Sequence, residues 1–120
     1  ARAACEKIHQ PSVGQSGKDV IWVPTPDELV KQMLRMAKVT PQDFVVDLGA
    51  GDGKIAIAAA RHFGARAKGI EYDPKMAELA QCYARAEGVA DRAQIVRGDI
   101  FEEDFSSATV VTMYLLPSLN

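Results

Sequence analysis

The stretch FVVDLGAGDGK, residues 44–54, places glycines at 49, 51 and 53 directly after an apolar run, with Asp47 two positions before the first of them. Few folds accommodate such a run. DFVVDLG, residues 43–49, is a short apolar run bounded by turn residues, which predicts a buried strand. Alternating glycines let the backbone turn sharply and approach a neighbour where a side chain would collide. From Gly53 to about His62 the sequence reads as a helix, with Gly64 as its stop. Strand, glycine turn and helix in this order begin a β–α unit, which commits the chain to an α/β arrangement.

The rest of the chain repeats the theme. ARAKGIEY (65–72) is a second strand, and Asp73-Pro74 restarts a helix as cap and first residue. Met76, Leu79, Ala80 and Tyr83 give that helix one apolar face, and it ends near Gly88. AQIVRGD (93–99) and ATVVTMYLL (108–116) are a third and a fourth strand. Upstream, Thr25, Pro26 and Glu28 form a capping box for a helix that Pro41 stops, with Leu29, Val30, Met33, Leu34 and Ala37 on its apolar face. Residues 1–23, broken by Pro11, Gly14 and Gly17, read as an irregular arm, and 24–120 as one domain. Strands joined through helices need right-handed crossovers, so a doubly wound, Rossmann-like, mostly parallel sheet is expected.

Composition narrows the function. The 120 residues are 48% apolar and 25% charged, as in a globular domain. A net charge of −2 without blocks of like charge advertises no nucleic-acid partner. No apolar run approaches the ~20 residues of a membrane helix. Cys5, Cys82, His9 and His62 lack metal-ligand spacing, so neither a metal site nor a disulfide framework is expected; the thiols read as reduced, in the cytoplasm. The opening ARAACEKIHQ has neither an initiator Met nor the apolar core of an export signal. It reads as the interior of a longer gene product.

Doubly wound sheets bind ligands beyond the carboxyl ends of their strands, where the glycine turn lies. A dinucleotide fingerprint, G-x-G-x-x-G, needs a third glycine at position 54, but Lys54 stands there and the glycine is at 53. Asp47 repels phosphate and suits a cation. Glu71, at the second strand's end, is placed to accept hydrogen bonds from two ribose hydroxyls, which alone serves NAD as well. Combined with Asp47 and the G-x-G-x-G spacing, it favours S-adenosylmethionine (SAM), which carries ammonium and sulfonium centres. Asp99 at the third strand's end suits an adenine amino group, with Ile100 and Phe101 against the ring; Asp99 also reads as a turn cap, and Tyr72 and Met76 as core residues.

VVDLGAGDGK, GIEYDP and GDIFE, in this order and spacing, resemble the first three motifs of class I, seven-strand SAM-dependent methyltransferases. The resemblance covers about residues 20–120. VPTPDELVKQML and VVTMYLLPSLN are similar to a narrower family: bacterial proteins and the mitochondrial lysine methyltransferases that modify the c-ring protein of ATP synthase, related to the non-SET histone-lysine enzymes. It implies SAM as cofactor, S-adenosylhomocysteine (SAH) as product and a protein lysine as substrate. Cofactor contacts fall on Thr25 and on Asp47, Gly49, Ala50, Gly51 and Gly53 of the first motif. They continue on Glu71, Tyr72, Asp73 and Met76, on Asp99, Ile100 and Phe101, and on Tyr114.

Class I amine methyltransferases place an Asn/Asp-Pro-Pro-aromatic loop after the fourth strand; here Tyr114-Leu115-Leu116-Pro117 follows, without the Asn or Asp. That argues against a nucleic-acid amine and leaves Tyr114 as candidate catalytic residue, with Asn120 a weaker polar contact. Trp22, in the segment before the first strand, reads either as a lid over the cofactor or as packing beneath the helix. Four strands of seven leave an apolar edge at the fourth, expected to be covered by chain beyond Asn120, by a partner or by self-association. A non-catalytic SAM-binding module and a small-molecule methyltransferase are the alternatives.

Overall fold

The structure, a computed structural model, describes residues 2–8 and 27–113. In chain order these form α1 (Arg2–Cys5), α2 (Asp27–Met36), β1 (Phe44–Leu48), α3 (Lys54–Phe63), β2 (Arg66–Glu71), α4 (Pro74–Ala86), β3 (Ala93–Arg97) and β4 (Val110–Met113). The strands make one parallel sheet in the order β3-β2-β1-β4. The order reverses at β1, which has β2 on one side and β4 on the other. Such a reversal opens a crevice beyond the carboxyl ends of the central strands.

Register sets what meets at that end. Asp47 of β1 lies opposite Gly69 of β2 and Thr112 of β4. Successive side chains alternate between the faces, so Val45 and Asp47 share one face and Val46 and Leu48 the other. On the first face Val45, Ala67 and Ile95 pack against Ile55, Ala56 and Ala59 of α3 and Ala77 and Ala80 of α4, with Val30 and Leu34 of α2 closing the layer. Alanines dominate because they let helix and sheet backbones come close. Each fully buried Leu, Ile or Val adds about 1.5–3 kcal/mol.

On the second face Val46, Leu48 and Ile70 are covered by Ile100, Phe105 and Ala108 from the β3–β4 connection. Among the described residues this face carries a turn-rich connection rather than a helix. Chain of this kind, broken by Gly98 and two Asx turns on Asp99 and Asp104, caps its own backbone rather than propagating a helix.

Other boundaries follow local chemistry. Asp73 caps α4, its carboxylate accepting from Lys75 N at 2.9 Å and Met76 N at 3.4 Å, with Pro74 next. α2 stops at Met36, earlier than Pro41 demands. Lys38 takes the left-handed φ of 57°, and Val39 N donates back to the Leu34 carbonyl. Of its expected apolar face, Val30 and Leu34 are buried and Met33 partly so, while Leu29 and Ala37 are exposed.

The amino terminus departs most from expectation. Arg2–Cys5, expected in an irregular arm, is a helical turn packed on α4. Cys5 is 1% exposed, within a cluster of Ile57, Met76, Leu79 and Tyr83. The two cysteines, expected as separate thiols, form a Cys5–Cys82 disulfide with Cα atoms 5.6 Å apart. Folding α1 back onto α4 closes 77 residues of sequence separation that no spacing rule anticipates. The Arg2 guanidinium stacks over the Tyr83 ring at 3.8 Å, and Arg2 and Arg61 both pair with Glu87.

Candidate functional site at the strand ends

Gly49, Gly51 and Gly53 have φ of 76°, 58° and 83°. This left-handed backbone is open to glycine and costly for a residue with a Cβ. The turn is pinned to β2: Gly49 N and Ala50 N both donate to the Ile70 carbonyl at 2.9 Å. Ala50 presses onto Gly69, where an added Cβ would stand 2.7 Å from the Ala50 Cβ. A Cβ on Gly53 would stand 3.0 Å from the Ala80 Cβ, so this glycine also sets how closely α4 approaches.

Glu71 ties the second strand end to the turn. Its Oε1 accepts from Gly51 N at 2.6 Å and its Oε2 from Asp73 N at 2.9 Å. A carboxylate held by two backbone amides is fixed in direction, and its remaining lone pairs are available to hydroxyl donors. Tyr72, beside it, is 76% exposed. At the third strand end the Asp99 carboxylate accepts from Phe101 N at 2.9 Å, the turn-capping role. Ile100 is half-buried on the second face, and Phe101 is 91% exposed. Met76 is buried in the cluster around Cys5, as a core residue would be. Thr25, Tyr114, Trp22 and Asn120 lie outside the described residues.

Asp47 is the electrostatic centre. It is 2% exposed, and burial pushes its carboxyl up to about 7. The Thr112 hydroxyl, donating to Asp47 Oδ1 at 2.9 Å, works against that rise, while the charges of Glu71 and Asp52 add to it. Asp52 in the turn is likewise pushed up by burial, with Lys54 opposing as charge and as backbone donor. Lys54 also pairs with Asp27 at 3.5 Å, joining the start of α2 to the start of α3. Three acids around a glycine turn make a cation-seeking site. A ligand bringing positive charge to Asp47 relieves its desolvation, whereas a pyrophosphate deepens it.

Thr112 was absent from the sequence-level candidates. A polar residue at an inward position of an apolar strand was the available signal, but the pairing of β4 with β1 that aims it at Asp47 is not written locally. A cavity of about 290 Å³, bordered by Arg2, Asp27, Lys31, Arg61, His62 and Glu87, runs along the outer side of α3 rather than at the strand ends. Chemistry, not cavity size, therefore marks the site.

Residues 47–120 match the ANTKMT methyltransferase domain. The chain belongs to this family. A protein-lysine N-methyltransferase of Saccharolobus islandicus is 47% identical over 102 residues, 84% of this chain and 63% of that protein. The lysine N-methyltransferase of Xenopus laevis that is named for the c-ring protein of ATP synthase is 33% identical over 98 residues, 82% of this chain and 42% of that one. Among solved structures, an RNA methyltransferase from Salinibacter ruber in complex with SAH superposes with a TM-score of 0.77 at 52% identity, covering 81% of this chain and 63% of that one. The chain thus spans less than two thirds of the length of these relatives. The parallel sheet with its flanking helices is the class I methyltransferase fold.

Proposed function

We propose that the chain carries the cofactor site of a SAM-dependent methyltransferase acting on a protein lysine amine. The observation that carries this reading is the meeting of the buried Asp47, the tethered Glu71 and the turn whose three glycines take positive φ, at adjacent strand ends. The residues fit the cofactor. Asp47 is a desolvated carboxylate suited to an ammonium, Glu71 a fixed acceptor suited to ribose hydroxyls, and the exposed rings of Tyr72 and Phe101 offer apolar surface for adenine. SAM supplies an activated methyl on sulfonium. The protein's part is to hold and orient it and to exclude water around an amine that must arrive neutral. Tyr114, next in the chain after β4, is the proposed contact for that amine.

Lysine as target rests on the lysine methyltransferase relatives. A second reading, methylation of RNA, draws on what the Salinibacter ruber relative is called. Against it stand the net charge of −2 and the missing Asn or Asp before Pro117. The cytoplasmic expectation drew on reduced thiols; the Cys5–Cys82 disulfide, a bond rare in the cytosol, weighs against it.

The test is transfer of a tritiated methyl from SAM to fractionated lysate, with separate protein and RNA arms and amino-acid analysis of the labelled protein. Label in methyl-lysine is expected. Label in RNA alone overturns the lysine reading, and no transfer despite SAM binding favours a binding module.

A further inference from the structure

Asp47 has a neighbour that the glycine motif does not include. β4 pairs with β1 so that Thr112 stands directly opposite Asp47 on the same face, and its Oγ1 donates to Asp47 Oδ1 at 2.9 Å. We propose that Thr112 is a positioning residue of the cofactor site, its hydroxyl holding the Asp47 carboxylate in one direction and in its ionised form for a cationic group of the cofactor. This inference rests on the methyltransferase reading above.

The surroundings of Asp47 give the hydroxyl its importance. Among the described residues, the charged groups acting on this carboxylate are Glu71 at the end of β2 and Asp52 in the glycine turn, both acidic. Burial and both neighbours favour the protonated carboxylic acid; the Thr112 hydroxyl is the group that favours the carboxylate. An O–H donor to a charged acceptor is the stronger kind of hydrogen bond. A protonated Asp47 offers an ammonium no charge and presents a competing O–H donor.

The sheet order makes this a device of the fold rather than of the motif. Among the described residues β4 is the last strand in chain order, and it joins β1 from the side opposite β2. Thr112 therefore arrives at Asp47 only when the long β3–β4 connection has crossed the second face. The cofactor site is completed by the strand that also leads into the proposed substrate contact, Tyr114.

Three proteins separate the roles: the full chain, Thr112→Val, which keeps β-branching and volume but lacks the donor, and Thr112→Ser, which restores it. Side-chain carbon NMR without ligand is expected to show Asp47 titrating near pH 7 in the wild type. In Thr112→Val the midpoint is expected to rise by about one pH unit, and in Thr112→Ser to return. Calorimetry with SAH is expected to show the valine variant weaker by about tenfold at pH 6, the gap closing to about twofold or less at pH 8.5, as a raised carboxyl midpoint requires. A structural defect alone would weaken binding equally at every pH. An unchanged Asp47 midpoint with an unchanged SAH profile in Thr112→Val overturns the role of Thr112. No SAH affinity in the wild type at any pH overturns the cofactor reading itself, and the inference with it.

Discussion

At the scale of single residues, Asp47 makes the site and strains the fold at once. Its carboxyl holds a proton more tightly folded than unfolded, since its midpoint rises from 3.8 to about 7. Its unfavourable contribution is therefore absent below pH 3.8, grows as pH rises, and is fully present above about 7. Asp47→Asn is expected to raise the melting temperature at pH 8, with the gain shrinking towards pH 4, while SAH binding falls by about tenfold or more. Thermal scans across pH with parallel calorimetry check both halves. A stability gain independent of pH would mean that ionisation is not the source of the strain. Glu71→Ala tests the other acid. It removes the acceptor for Gly51 N and Asp73 N together with the proposed ribose contact, so SAH affinity is expected to drop about tenfold or more. Helical circular dichroism is expected to be retained; full affinity in the folded variant contradicts the assignment. At Gly51 the φ of 58° admits a β-branched side chain only with strain, so Gly51→Val is expected to abolish binding.

At the scale of elements, the strands and the helices between them were legible because each has its own local signal. Asp73-Pro74 caps α4, Gly64 closes α3, and apolar blocks bounded by turns give β1 to β3. What was not legible depends on contacts between distant segments. Asp47 could be chosen as a cation site from its place before the turn, but its hydroxyl partner sits 65 residues away. α1 shows the same limit. A four-residue helix has no independent stability, and RAAC acquires structure only by packing on α4, where Cys5 finds Cys82. Closing so long a loop stabilises by about 2–4 kcal/mol. Reduction with a dithiol, or Cys5→Ser, is accordingly expected to lower the melting temperature by about 10 °C or more. An identical melting curve with and without reductant would show that α1 is held by its packing alone. The ion pairs of Arg2 and Arg61 with Glu87 are partly exposed and add little of their own.

At the scale of the whole molecule, the sheet serves as a frame with two ends of different character. One face packs against alanine-rich helices and the other, in part, against the β3–β4 connection. The carboxyl ends collect Asp47, the glycine turn, Glu71, Asp73 and Asp99, along with the exposed rings of Tyr72 and Phe101. On the second face of β4, Val111 and Met113 are half-exposed, so among the described residues the frame has apolar surface to offer a further segment or partner. Amide chemical shifts during titration with SAH ask directly whether the strand ends hold the cofactor. Saturable shifts are expected at Gly49 to Gly53, at Glu71 to Asp73 and at Asp99 to Phe101, with little change along α3 at Arg61 and His62. Shifts centred on the cavity along α3, or saturable binding that leaves the glycine turn unmoved, would contradict the placement of the site.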